Sequence, residues 1–209
     1  MRTLLPLYVH PLADPAAWDT VARLGDRVLV VVNVHNGPGA VVEEAYLDAT
    51  DRLRVAGVPM LGYLDLDYGR RPEPLVREDV ERWRRYPVGG MFFDRVPSAR
   101  TALAPVAHAV GLVCGTVVLN PGTRPDPAYL DLADVVCTFE GPWPDYLARD
   151  PEPPTRTAAH LVYGVPADRL VEATALVAGR VRCGLVTEWD APLPYLGLPA
   201  GLAAAGVSR

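Results

Sequence analysis

The chain has 209 residues, half of them hydrophobic, and a net charge of −5. That is enough apolar material for one domain with a substantial core. An acidic balance with no basic block argues against nucleic acid as a partner, because phosphates need a basic face, and no apolar run reaches the roughly 18 residues of a membrane span. Met1-Arg2-Thr3 leads straight into Leu4–Val9, too short a run for a signal sequence. As written, the chain is expected in the cytoplasm, or outside the cell if a leader was removed. Every base other than histidine is arginine. Without lysine there is no Schiff-base chemistry, no pyridoxal phosphate anchor and no Walker A loop. Cys114, Cys137 and Cys183 are odd in number and widely spaced, so they read as buried free thiols.

In chain order, Leu4–Val9 is the first predicted strand, ending near Tyr8 and His10. Asp14 caps a helix running through Trp18 to Leu24. Arg27–Val32 is a valine-rich second strand that ends on Asn33. The loop Asn36-Gly37-Pro38-Gly39 precedes a helix over Ala40–Ala56, closed by Gly57. Val58–Tyr63 is the third strand and runs into the polar loop Asp65-Leu66-Asp67-Tyr68. The helix between Pro74 and Tyr86 is rich in Arg and Glu, so its outer face is solvated. Val88–Val96 holds a short buried strand that stops at Asp94 and Arg95. A helix over Ser98–Val110 follows, then a strand over Val113–Leu119 ending at Asn120, and a short helix over Pro127–Leu132. Asp134–Gly141 is a second apolar run that ends on an acid, Glu140. Trp143–Ala148 is a partial helix and Pro151–Pro154 a loop. Ala158–Tyr163 is a strand carrying His160, Ala167–Ala178 a helix, and Val181–Val186 the last strand, leading to Thr187. A final helix is expected over Tyr195–Ala205.

Eight strands alternating with helical segments predict a parallel sheet and a compact, single-domain α/β fold, the closed (β/α)8 barrel. An open doubly wound sheet is the alternative, but no GxGxxG follows the first strand. In a barrel the strand C-termini form the active face. They bring together Tyr8, His10, Asn33, Tyr63, Asp65, Tyr68, Asp94, Arg95, Asn120, Glu140, His160 and Thr187. An acid ending a buried strand is costly unless hydrogen-bonded or used, so Asp94 and Glu140 are the candidate catalytic pair, and the others are candidate substrate-binding residues. Glu140 is assigned as acid/base and Asp94 as nucleophile or stabiliser, with Arg95 expected to hold Asp94 ionised. The polar, aromatic rim suits a glycan or another small molecule. Tyr8, Tyr63, Tyr68, Trp143 and Trp189 are candidate sugar platforms. No HxH or HExxH spacing links His10, His35 and His160, so no metal and no cofactor is expected. The Asp65/Asp67 pair reads as a solvated loop rather than a cation site. His108 reads as structural. The Asn36–Gly39 loop is a weak phosphate cradle.

Several pieces in register resemble the spherulation-specific family 4 proteins. They are Pro6-Leu7-Tyr8-Val9, Asn33 with Gly37-Pro38-Gly39, Leu61-Gly62-Tyr63, Tyr68-Gly69, Gly90-Met91-Phe92-Phe93-Asp94, Asn120-Pro121-Gly122, Phe139-Glu140, Val186-Thr187 and Pro194-Tyr195. That family is similar to glycoside hydrolase family 135, whose fungal members have a (β/α)8 fold and cleave galactosaminogalactan. The resemblance implies a glycoside hydrolase with catalytic carboxylates at Asp94 and Glu140. It departs at Arg95, where the fungal pattern Phe-Phe-Asp-Glu has a second acid. The alternative is a non-hydrolytic relative, either a carbohydrate-binding protein or an intracellular biosynthetic enzyme that reuses the same acids.

Overall fold

The computed structural model describes residues 1–150 and 155–205, so the expected Pro151–Pro154 loop lies outside them. Eight parallel strands form a closed barrel in sequence order. They are β1 (Arg2–Leu7), β2 (Val28–Val32), β3 (Met60–Asp65), β4 (Gly90–Asp94), β5 (Thr116–Leu119), β6 (Val135–Pro142), β7 (Thr155–Tyr163) and β8 (Val181–Val186). β8 closes on β1 through Arg2–Cys183 and Thr3–Gly184. Around them lie α1 (Pro15–Leu24), α2 (Glu44–Val55), α3 (Glu73–Trp83), α4 (Leu103–Val110), α5 (Trp143–Ala148), α6 (Leu170–Arg180) and α7 (Ala200–Ala205).

Local chemistry explains most of the boundaries. Asp14 accepts from the Ala17 amide at 3.0 Å and Pro15 opens α1, which buries Trp18, Val21 and Leu24. α2 starts at Glu44, not at Ala40. Asn36, Gly37 and Gly39 all hold positive φ, which no helix accepts, so the chain must finish that turn first. The Asn36–Gly39 loop therefore does not open directly into a helix. On α3, Arg77 pairs with Glu73 and Arg82 with Glu78 one turn apart, the solvated face expected there. The other face puts Trp83 against β3, where its indole donates to the Tyr63 carbonyl at 2.8 Å. A Cβ on Gly62 would come within 2.5 Å of that ring, so only glycine fits there. Between β5 and β6 the expected helix over 127–132 is a 3₁₀ segment, Pro127–Asp131. Asp126 caps it and Pro127 begins it, leaving too few residues for a second turn. The tail is helical only from Ala200.

β6 contains a feature that alternation alone does not show. Cys137 pairs with Ala159, but the next pairing is Phe139 with His160, so Thr138 is an extra residue in a β-bulge. Thr138 and Phe139 both turn to the outside of the barrel, where Thr138 meets His160 and Phe139 packs on Tyr146. The bulge restores Glu140 to the inner face, in register with Leu161. Cys137 and Cys183 are buried free thiols as expected, whereas Cys114, on the turn before β5, is exposed.

Candidate active site at the C-terminal mouth of the barrel

Asn120, just beyond β5, is the centre of the site. Its Nδ2 donates to Asp94 Oδ1 at 2.8 Å and to Glu140 Oε2 at 2.5 Å. One amide nitrogen therefore bridges both acids and holds their nearest oxygens within about 5 Å of each other. The Gly122 amide donates to Asn120 Oδ1 at 3.0 Å, which fixes which end of the side chain faces the acids. The remaining acceptor positions are filled by phenols. Tyr63 donates to Asp94 Oδ2 at 2.8 Å and Tyr195 donates to Glu140 Oε1 at 2.6 Å. Tyr8 stands edge-on between those two rings, 5.8 Å from each centroid.

The electrostatics follow from partial burial among neutral donors. Burial pushes the Asp94 carboxyl up, and the hydrogen bonds from Tyr63, the Arg95 backbone amide and Asn120 only partly oppose it. Burial raises Glu140 too, against Asn120 and Tyr195, with the neighbouring Asp94 adding to the rise. Tyr63 and Tyr195 are pushed well above the ordinary tyrosine value, first by burial and then by the acids they serve, so both remain donors.

Arg95 does not hold Asp94 ionised. Its guanidinium turns away to grip Asp65, with one bond at 2.8 Å from Nε and a shorter one from Nη2, and it reaches Asp67 at 3.2 Å. The turn responsible is visible in the backbone. Asp67, Tyr68 and Arg95 all hold left-handed φ near +50°, and the Tyr68 amide donates to the Arg95 carbonyl. Asp65 is buried, which would raise it, but the Arg95 hydrogen bonds prevail and hold it below the usual carboxylate range. Asp65 and Asp67 are thus bound by arginine, and among the described residues no group of acids, histidines and cysteines could hold a metal ion.

A cleft of about 740 Å³ opens over Glu140. Tyr8, Asn33, Tyr63 and Tyr68 line it, as does Tyr163. Asp94 lies one hydrogen bond behind this lining, through Tyr63. Besides Asp65 and Arg95, which bind each other, the expected binding residues His160, His10 and Thr187 sit elsewhere than at the cleft. His160 is on the outer face of β7, 2% exposed, with Nδ1 2.8 Å from the Tyr146 hydroxyl. Burial first, then Arg149 and Arg180, lowers its pKa to about 3, so it is a neutral core histidine. Its even position in β7 sends it outward, while Ala159 and Leu161 face in. His10 is diverted to Glu43, at 2.6 Å, and His35 meets the same carboxylate at 3.1 Å. Thr187 is buried, accepting from the Trp189 amide at 3.2 Å to brace the segment beyond β8. Of the candidate platforms, Trp143 is packed under Tyr146, off the cleft.

Sequence reasoning missed the segment after β8. Residues 191–196 form one wall of the cleft and deliver Tyr195 to Glu140. A proline-rich stretch following a barrel strand was the available signal, since loops there lie on the active face.

A closed (β/α)8 barrel with two amide-bridged carboxylates at an aromatic mouth defines the class of this protein. The chain belongs to spherulation-specific family 4, whose family model matches residues 2–201. Spherulin-4 of Physarum polycephalum is 31% identical over 151 residues, 67% of this chain and 45% of that protein, so the chain spans under half the length of that relative. The barrel is also similar to Aspergillus clavatus Sph3, solved in complex with GalNAc, with a TM-score of 0.86 and 25% identity over 98% of this chain and 95% of that one.

Proposed function

We propose that the cleft binds an amino-sugar glycan or smaller glycoside and that the protein is a glycoside hydrolase. Two kinds of support converge. The likeness to Sph3, whose structure holds GalNAc, extends over nearly the whole of both chains. The observation that supports the chemistry is the bridge at Asn120, which links Glu140 on the cleft wall to Asp94 just behind it. Glu140, which lines the cleft and is raised by burial, is the acid/base. Asp94, held behind Tyr63 by neutral donors, is the nucleophile or the stabiliser of developing positive charge on the sugar. The carboxylate spacing is nearer the roughly 5–5.5 Å of retaining glycosidases than the 6.5–9.5 Å that lets an inverting enzyme seat a water. Asp65 and Arg95 support the loops rather than the reaction.

The test is incubation with acetylated and de-acetylated galactosamine oligomers, read by mass spectrometry, beside Glu140→Gln. Cleavage by the natural sequence that is lost in the variant supports the reading. Turnover that persists in Glu140→Gln overturns the assignment. A second reading, binding without cleavage, is favoured by the screened position of Asp94. Saturable sugar binding with no product from either protein would select it.

A further inference from the structure

The two walls of the cleft differ in chemistry. On the β2–β4 side, Asn33, Asn36, Tyr63 and Tyr68 offer amides and phenols. On the β8 side the wall is the strap of residues 191–196, which carries no charged side chain. Two leucines stand out on it, Leu193 at 56% exposed and Leu196 at 45%. Single exposed leucines are ordinary on a protein surface, but these two line a concave site, where apolar walls are usually covered by ligand. They are held there by bracing. The Trp189 carbonyl accepts from the Gly164 amide at 2.8 Å, and the Trp189 indole donates to the Leu198 carbonyl at 3.3 Å. A Cβ on Gly197 would come within 2.6 Å of that indole, so the strap is packed tightly against it. Tyr195, between the two leucines, touches Glu140 at 2.6 Å. The two leucines and Glu140 therefore line one and the same cleft. The cleft, at about 740 Å³, holds more than one sugar ring.

We infer that the strap is a subsite for an apolar aglycone, so that the cleft takes an amphipathic glycoside whose sugar lies at Glu140 and whose apolar group lies on Leu193 and Leu196. This rests on the carbohydrate reading above. The test is calorimetric titration of the whole chain with methyl and octyl glycosides of N-acetylgalactosamine, as both anomers and below micellar concentration. In the natural sequence the octyl glycoside should bind at least ~10-fold tighter than the methyl glycoside, the gain from burying about one leucine side chain. The Leu193→Ser/Leu196→Ser double variant should lose that advantage and keep its affinity for the methyl glycoside. Equal affinities in the natural sequence, or an octyl advantage that survives in the double variant, would overturn the subsite alone. So would a leucine-dependent gain that an N-acetylgalactosamine disaccharide shows and the octyl glycoside does not, since the wall would then serve a second sugar ring. Failure of every glycoside to bind would overturn the carbohydrate reading as well.

Discussion

Asp65 and Asp94 lie opposite each other in register at the ends of β3 and β4, yet the fold treats them in opposite ways. Asp65 is given a cation. Arg95 grips it with two bonds and its pKa is lowered. Asp94 is given neutral donors, the Tyr63 hydroxyl, the Arg95 backbone amide and the Asn120 side chain, and burial raises it. A carboxylate paired with a guanidinium is held ionised, whereas one buried among neutral donors is pushed toward its protonated form. The difference lies in one residue's backbone. With Arg95 at φ +49°, the chain reverses at once and carries the guanidinium over to Asp65 instead of leaving it beside Asp94.

Experiments that push on this contrast can be ranked by size. Glu140→Gln should lower kcat on a cleaved oligosaccharide by ~10³-fold or more, with an unchanged circular dichroism spectrum. Asp94→Asn should cost ~10²-fold in kcat, whereas Asp65→Asn should leave kcat within about threefold. That pair of assays breaks the comparison if the two variants lose activity equally. Asp65→Asn should instead show in stability. It leaves Arg95 without its buried partner, and chemical denaturation should register a loss of about 1–2 kcal/mol, discounted because the guanidinium is partly exposed.

The pH behaviour sharpens the same point. A general acid works protonated, so the rate should fall as pH rises through the Glu140 pKa, above the ordinary glutamate value of 4.5. The Tyr195 hydrogen bond favours the ionised form, so Tyr195→Phe should move that basic limb to still higher pH and lower kcat by ~10-fold at most. The last effect, on stability rather than rate, is at His160, on the opposite face of the sheet. Its folded pKa is near 3, against about 6.5 unfolded, so between those values the unfolded chain binds the proton and the folded one does not. Stability should therefore decline as pH drops from about 6.5 toward 3. A histidine NMR titration that shows His160 protonating near pH 6 would contradict the sealed, neutral assignment.

Much of this was legible in the sequence, for identifiable reasons. The apolar runs and their glycine and proline borders define eight strands, and strand–helix alternation leaves few topologies besides the barrel that is observed. Asp94, Asn120 and Glu140 could be named because each ends an apolar run, where a barrel gathers its strand ends. The residues misplaced from sequence, His160, His10 and Thr187, share a different property. Each depends on which way a side chain points, which for His160 follows from where in β7 the alternation starts and for His10 and Thr187 from turns beyond the strand ends.

The sequence by itself thus determined the barrel and the identity of the acids, because burying apolar runs at regular intervals is a one-dimensional pattern. The tertiary structure alone decided how those acids are placed and partnered. The bulge at Thr138 turns Glu140 inward, the left-handed turn at Arg95 sends its charge to Asp65, and the strap beyond β8 brings Tyr195 across 55 residues to Glu140. Each of these is a choice of direction made by backbone geometry and by contacts far apart in the chain, and local composition carries little trace of it.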